Sequence, residues 1–131
     1  MRDHSKLRAS ELADELTLHV YQATRSFPRE EQFGLTSQMR RAAVPVSSNI
    51  VEGCARQTQA DYRHFLDIAF GSFRELEYQI SLAHRLSYLP AESSADLLAR
   101  CTELSKVLAA LIRSLRAPNS PNFERTNSLK D

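Results

Sequence analysis

Metal binding is the first chemistry to consider, because the chain contains both histidines and many carboxylates. The nearest match to a metal-binding motif is Asp61-x-x-His64. A di-metal site in a helical protein needs a Glu-x-x-His pair from each of two helices and one further Glu from each of two others. The chain has no second pair with this spacing, and its other histidines are isolated in the sequence. We therefore predict no metal site.

Nucleophilic catalysis has no better support. The sequence contains no G-x-S-x-G, no G-x-G-x-x-G and no G-x-x-x-x-G-K-[ST] motif. Cys54 and Cys101 form no C-x-x-C pair, and we expect both to be reduced residues that pack as small apolar side chains. Glu75 and Glu77 point about 200° apart on a helix, so they cannot serve as an acid–base pair. We predict that the protein is not an enzyme and binds no cofactor.

Arginines are the remaining polar signal. Arg40 and Arg41 are adjacent, Arg56 follows the same predicted helix, and Arg63 lies near the start of the next one. One interpretation is that these four residues are solvated charges on helix surfaces. The other places them together at one end of the fold, where their forked guanidinium groups would contact the phosphates of RNA or DNA.

Composition limits the classes of protein to which the chain can belong. Its 131 residues suggest one domain, and its 17 basic and 16 acidic residues give a net charge of only +1. This balance provides no overall basic signal for nucleic acid or an anionic membrane. No apolar run is long enough to span a membrane, and no signal peptide is visible, so we predict a cytoplasmic protein.

Four long helices must position these residues, because 3 glycines and 5 prolines leave few places for turns. Apolar residues recur with helical spacing. The strictest pattern lies in the last helix, where leucines and one cysteine recur in alternating steps of four and three residues. The predicted helices run from about Leu7 to Ser26, from Thr36 or Ser37 to about Gly53, from a Thr58 cap to about Tyr88, and from about Ala91 to Leu115. We predict an all-α, antiparallel up-and-down four-helix bundle over residues 1–116 and a disordered tail over residues 117–131.

Three positions stand out within these helices. Pro45 lies inside the second helix and removes a backbone donor, so we expect a kink there or a break into two helices. Gly71 lies in the middle of the third helix, where a close approach by a neighbouring helix would explain a glycine. Phe70 and Tyr78 lie off the main apolar stripe of that helix. They are either contacts with another subunit or ordinary, partly exposed aromatic residues.

Several segments of the chain resemble a family signature. Residues 27–44 read FPREEQFGLTSQMRRAAV, residues 48–53 read SNIVEG, and residues 71–77 read GSFRELE. Together with Phe65-Leu66, they resemble the bacterial four-helix bundle proteins named for intervening sequences in 23S ribosomal RNA genes, also called S23-type proteins. The resemblance extends from about Leu7 to Leu115 and implies an up-and-down four-helix bundle. It also implies assembly into rings of five, without an established enzyme activity.

The resemblance includes one relative with a known partner. The accessory protein of diversity-generating retroelements is similar to this family, binds nucleic acid and associates with a reverse transcriptase. That relative is markedly basic, whereas this chain is nearly neutral. The chain also has Ser10 where the family commonly carries a tryptophan, and it has its helix proline at Pro45 rather than at the position of Ser47. The first departure bears on how closely its oligomer follows the family, and the second moves the expected kink of the second helix by about half a turn.

The residues of the signature allow two interpretations. Asn49 and Glu52 could form a polar cluster bonded to neighbouring helices, with Arg40 or Arg41 as a partner and with Gly53 as a helix cap. Alternatively, the same residues could hold a ligand. The sequence as a whole predicts a non-catalytic bundle that self-assembles, with a pentameric ring as the expected form, and that acts as a scaffold or binding module. The alternative is a nucleic-acid-binding accessory protein that uses an arginine-bearing end of the bundle.

Overall fold

The computed structural model describes residues 2–116 and the side chains of residues 4–115. These residues form four α-helices, α1 (Arg2–Thr24), α2 (Leu35–Cys54), α3 (Gln59–Arg85) and α4 (Ala91–Arg116), with a short 3-10 turn (Arg29–Glu31) between α1 and α2. α1 packs against α2 and α4, and α3 packs against the same two helices. The predicted all-α up-and-down bundle is confirmed. The predicted tail over residues 117–131 lies outside the described residues.

Each helix buries one apolar stripe along the bundle axis. The leucine seam predicted for α4 is buried along its whole length, with Cys101 as its one cysteine. The stripes of all four helices form one continuous core, which Phe27 and Leu89 close at the end near the α1–α2 and α3–α4 links. Fully buried large side chains occur on every helix: Leu16, Val20, Met39, Val46, Ile50, Leu66, Phe73, Leu76, Ile80, Leu97, Leu104 and Leu108.

Two neighbouring residues of α3 differ in burial. Leu66 is fully buried, whereas Phe65 is only half-buried. The ring of Phe65 lies under the guanidinium of Arg56, with the Arg56 Cζ 4.7 Å from the ring centroid. The aromatic side chain therefore covers the α2–α3 seam rather than filling the core.

The start of α2 was predicted one or two residues too late. The helix begins at Leu35 after Gly34, and neither Thr36 nor Ser37 caps it. Instead, the carboxylate of Glu31 accepts a hydrogen bond from the Leu35 backbone N–H at 2.9 Å. The negative charge also complements the positive end of the helix dipole. At the start of α3, the predicted cap is confirmed, because the Thr58 hydroxyl accepts a hydrogen bond from the Asp61 N–H at 3.1 Å.

Helix α3 ends at Arg85, three residues before the predicted end. Ser87 adopts a left-handed conformation with φ 66°. The N–H of Ser87 donates to the His84 carbonyl and the N–H of Tyr88 donates to the Ala83 carbonyl, both at 2.9 Å. These two bonds form a Schellman motif, which terminates the helix by satisfying its last carbonyls. The sequence did not signal this end, because glycine is the residue that usually takes the left-handed position.

Pro45 does not break α2, which continues through it from Leu35 to Cys54. The break into two helices was therefore wrong, and the kink near Pro45 stays a prediction. The Asn49 side chain donates from Nδ2 to the Pro45 carbonyl at 2.8 Å. In α1, the helix ends at Thr24 rather than Ser26, and its start at Arg2 precedes the predicted Leu7.

Gly71 lies in the exposed middle of α3. A Cβ built at this position would meet no atom within 4 Å outside its own stretch of helix. The expected close approach by a neighbouring helix within the described bundle is therefore wrong. Glycine costs a helix interior about 1 kcal/mol relative to alanine. Nothing in the described bundle offsets this cost.

One carboxylate joins the two links at the same end of the bundle. The Tyr88 hydroxyl, after α3, donates to Glu31, before α2, at 2.8 Å. The Tyr88 ring also packs on Phe27 with a centroid separation of 5.4 Å. Hydrogen bonds from the Leu35 backbone N–H and from Tyr88 hold the pKa of Glu31 below its usual value. The lowered pKa means that the folded state favours the charged carboxylate.

We predict that Glu31→Gln weakens the acid sensitivity of the fold. A group with a lowered folded-state pKa stabilises the protein above its unfolded pKa, and this contribution is lost as the pH falls through the folded value. The melting temperature of the wild type should therefore fall more steeply than that of Glu31→Gln between neutral pH and the acid range. Thermal melts followed by circular dichroism test this. Glu30→Gln, at the exposed neighbouring position, should keep the wild-type profile, and parallel profiles for all three proteins would contradict the prediction.

Candidate interaction surface on the α1–α2 side

The four arginines do not lie at one end of the bundle. Arg40 lies near the end of α1, where its guanidinium contacts Tyr21 and Thr24. Arg56 lies just beyond the last residue of α2. At 1.5 Å per residue, the length of α2 separates these two positions by roughly 24 Å. Arg41 lies beside Arg40, and Arg63 lies in the first turns of α3, at the same end as Arg56. The predicted four-arginine patch is therefore wrong as a single cluster.

Arg40 ties α2 to the end of α1. Its Nε donates to the Thr24 hydroxyl at 2.9 Å, and its guanidinium donates to the Tyr21 carbonyl at 3.2 Å. Its Cζ also lies 4.6 Å from the centroid of the Tyr21 ring. A cation at the last carbonyls of a helix is favourable because it complements the helix dipole and satisfies exposed acceptors. Arg40 therefore has a structural role, and its partners are on α1 rather than Asn49 or Glu52.

Arg41 has a different environment. Its side chain is exposed, and it makes no ion pair, hydrogen bond or ring contact with any residue that the structure describes. It lies on the rim of an open groove of about 620 Å³ at the start of α2. The groove is lined by Tyr21, Gln32, Phe33, Thr36, Ser37, Arg40, Arg41, Val44 and Pro45. The lining contains two arginines and three hydroxyl side chains but no carboxylate.

At the other end of the bundle, Arg56 contacts other side chains and Arg63 is exposed. Arg56 forms an ion pair with Glu52, one turn earlier, and covers the Phe65 ring. The two residues are four apart in the sequence, a spacing that brings side chains together on one face of a helix. Both side chains are substantially exposed, so the pair contributes little to stability.

The signature residues Asn49, Glu52 and Gly53 do not form one polar cluster. Asn49 bonds to a carbonyl of its own helix, and Glu52 bonds to Arg56. Gly53 is buried within the last turn of α2, and it has no positive φ. A Cβ at this position would lie 3.0 Å from Tyr62 Cδ1 and 3.1 Å from Phe65 Cβ. Gly53 is therefore needed for the close packing of α3 on α2 and is not a helix cap.

Exposed apolar side chains are unevenly distributed over the bundle. Six of the nine large hydrophobic side chains that are exposed in the described part of the chain lie on α1, α2 and the link between them. They are Leu7, Leu18, Tyr21, Phe33, Val44 and Val51. Phe33 is 89% exposed, and Leu18 is 61% exposed. We call this surface the α1–α2 side. The sequence does not signal it, because an exposed leucine, valine or phenylalanine is the same residue type as a buried one.

The two aromatic residues predicted as an oligomer contact, Phe70 and Tyr78, have different environments. Phe70 is half-buried against the core, with its ring 5.8 Å from the ring of Phe73. Tyr78 is 60% exposed, with Arg85 over its ring. Phe70 therefore has a packing role within the chain, while Tyr78 is available for a contact.

The described residues include His, Cys, Asp or Glu side chains on each of the four helices. No group of three or more His, Cys, Asp or Glu side chains among them could hold a metal ion. Burial raises the pKa of the Cys101 thiol to about 12, which keeps it protonated and unreactive, as expected for a cysteine that packs in the core. No described helix is long and apolar enough to cross a membrane.

Comparisons with known proteins agree with this fold. The sequence model of a family described as "23S rRNA-intervening sequence protein" matches residues 5–110. The crystal structure of a protein with unknown function from the S23 ribosomal protein family of Bacteroides thetaiotaomicron superposes with a TM-score of 0.76. The two sequences are 23% identical over 83% of this chain and 98% of that one, so this likeness concerns the fold alone. No protein with a curated description matches the chain.

We predict different effects for two adjacent arginines. Arg40→Ala removes two hydrogen bonds and a ring contact, so it should lower the free energy of unfolding by about 1–2 kcal/mol. Arg41→Ala removes an exposed side chain without partners among the described residues. It should change the free energy of unfolding by less than about 0.5 kcal/mol. Urea denaturation measures both values. Equal losses in the two variants would contradict the structural role of Arg40.

Proposed function

The chain belongs to the 23S rRNA-intervening sequence protein family, and we propose that it is a non-catalytic module that works by self-assembly in the cytoplasm. The observation that supports self-assembly is the α1–α2 side. The side chains of this surface are apolar although they face away from the core. Several large apolar side chains exposed on two adjacent helices are typical of an interaction site.

The distribution of polar residues agrees with a one-sided contact. None of the large exposed hydrophobic side chains of the described residues belongs to α4. The outward positions of α4 carry Thr102, Glu103 and Lys106, which are all exposed. α4 therefore has the character of a solvated face, whereas α1 and α2 resemble one half of an interface. A pentameric ring is the form that the family resemblance implies, and we propose it for this chain.

We predict that Leu18→Glu combined with Val44→Glu abolishes self-assembly without unfolding the bundle. Both side chains are exposed, so a carboxylate at each position is solvated in the monomer but buried in the assembly. Sedimentation equilibrium at tens of micromolar should show an oligomer for the wild type and a monomer for the variant. Thr102→Glu on α4 is the matched control and should remain oligomeric. A monomeric wild type would contradict the proposal.

Nucleic-acid binding is the second candidate, and the groove at the start of α2 favours it. Arg41 is an exposed cation without a partner among the described residues, and Arg40, Thr36 and Ser37 lie beside it. Phe33 offers an exposed aromatic ring at the same groove. Arginines that contact phosphates and an aromatic ring that stacks on a base are the usual elements of a single-strand binding surface. The carbonyl and hydroxyl bonds of Arg40 leave Arg41 as the residue free to contact a phosphate.

We predict that Arg41→Ala weakens binding of a labelled single-stranded oligonucleotide. Loss of one phosphate contact should reduce affinity several-fold at about 50 mM salt and lower the salt slope by roughly one unit. Fluorescence anisotropy at about 50 and about 200 mM salt measures both effects. Arg63→Ala, at the opposite end of the bundle, is the matched control and should bind as the wild type does. A flat titration of the wild type at low salt would exclude this function.

A further inference from the structure

The groove at the start of α2 contains more hydrogen-bond donors than the described chain uses. Arg41 makes no ion pair or hydrogen bond with a described residue. The Nε and Nη2 atoms of Arg40 bond to α1, but its Nη1 has no partner among the described residues. The hydroxyls of Thr36 and Ser37 likewise have no hydrogen-bond partner in the described part of the chain. A ligand that satisfies these donors must offer several acceptor oxygens.

The same groove is positively charged. Its lining contains two guanidinium groups and no carboxylate. Glu31, which precedes the groove in the chain, is not among the lining residues. Its carboxylate accepts hydrogen bonds from the Leu35 backbone N–H and the Tyr88 hydroxyl instead. A phosphate group combines negative charge with several acceptor oxygens, and arginine binds it in a forked geometry. The donors and the charge of the groove therefore fit a phosphate.

One aromatic ring is available beside these donors. The ring of Phe33 is almost fully exposed. Tyr21 is the other aromatic residue of the lining, and its ring lies under the Arg40 guanidinium, with the Arg40 Cζ 4.6 Å from the ring centroid. Sites that follow a single strand combine a charged groove with aromatic rings on which successive bases stack. This groove instead supplies one ring, which is enough for one base.

The surface of α2 beyond the groove offers a strand no further cation. The groove residues of α2 extend from Thr36 to Pro45, which is about 14 Å of helix. The chain has no basic residue between Arg41 and Arg56, and Arg56 pairs with Glu52. A sugar–phosphate backbone that continued along α2 would therefore leave its phosphates without partners on this helix. The groove suits the end of a strand better than its interior.

We propose that the groove binds a nucleotide that carries a terminal phosphate, with the phosphate on Arg41 and the base on Phe33. The proposal rests on the nucleic-acid binding proposed above and specifies which part of a strand the groove holds. A terminal phosphate has a charge of about −1.5 to −2 at neutral pH and three free acceptor oxygens. A phosphate inside a strand has a single charge and two free oxygens. The terminal group therefore satisfies more of the free donors on Arg40, Thr36 and Ser37.

Phosphorylated strand ends and free nucleotides share this chemistry, and the rest of the strand distinguishes them. Arg25 and Arg29 lie on the link between α1 and α2, which leads into the groove. Both are exposed, and neither forms an ion pair with a described residue. They can contact the additional phosphates of a strand, which a mononucleotide lacks. We therefore expect a strand end to bind more tightly than a free nucleotide.

Isothermal titration calorimetry on the full-length chain tests the proposal without a label on the ligand. The ligands are short oligo(dA) strands with a phosphate at one end, at the other end or at neither end, and the mononucleotide dAMP. At about 50 mM salt, one of the phosphorylated strands should bind roughly tenfold more tightly than the unphosphorylated strand, because the terminal group gains charge-assisted hydrogen bonds. The mononucleotide should bind more weakly than that strand.

Two variants separate the contact with the phosphate from the contact with the base. Arg41→Ala should weaken the phosphorylated strand more than the unphosphorylated one and so abolish the preference between them. Phe33→Ala should weaken both strands by the same factor, roughly tenfold, because each loses one stacked base. Arg63→Ala, at the opposite end of the bundle, is the matched control and should keep the affinities and the preference of the wild type. All three side chains are exposed, so each variant should keep the wild-type melting temperature.

The possible outcomes separate this site from nucleic-acid binding in general. Equal binding of phosphorylated and unphosphorylated strands by the wild type would overturn the terminal-phosphate site and leave nucleic-acid binding in place. A preference that survives in Arg41→Ala would also overturn the site. Binding of dAMP as tight as that of the phosphorylated strand would support the site and identify free nucleotides as its ligands. No binding of any strand or of dAMP would overturn both proposals.

Discussion

Burial of four apolar stripes against one another is the constraint on which the structure depends. The α4 seam of Leu97, Leu104 and Leu108 joins the stripes of the other three helices in one continuous core. Once these stripes face inward, helical rotation determines where every other residue projects. The outward positions of α1 and α2 are then unusually apolar for residues that face away from the core. The surface chemistry of the protein therefore follows from the same periodicity that forms its core.

Periodicity also explains what could be predicted from sequence. Features that depend on residues close in the chain could be predicted. They are the leucine seam of α4, the Thr58 cap and the four-helix architecture. The link between Glu31 and Tyr88 could not be predicted, because the two residues are 57 positions apart and neither type signals such a contact. The left-handed conformation of Ser87 could not be predicted either, because glycine, rather than serine, is the residue that usually marks the end of a helix.

The candidate site was harder to predict than the fold. Four arginines that lie close in sequence suggested one patch, but the length of α2 places them at both ends of the bundle. Arg40 links α2 to α1 through hydrogen bonds to Thr24 and Tyr21, whereas its neighbour Arg41 makes no such contact with the described residues. The two glycines Gly53 and Gly71 are likewise indistinguishable by type, and only the surrounding atoms separate a packed seam from an open surface. Residues with one chemistry therefore acquired different roles from their positions on the helices.

The central claim is that this bundle recognises copies of itself through the α1–α2 side. A dilution series followed by amide chemical shifts in NMR tests it most directly, because each backbone position reports separately. We expect the signals of residues around Leu18 and Val44 to change together as the protein is concentrated, while those around Thr102 and Lys106 on α4 stay constant. Signals that are independent of concentration, or changes centred on the outer face of α4, would contradict it.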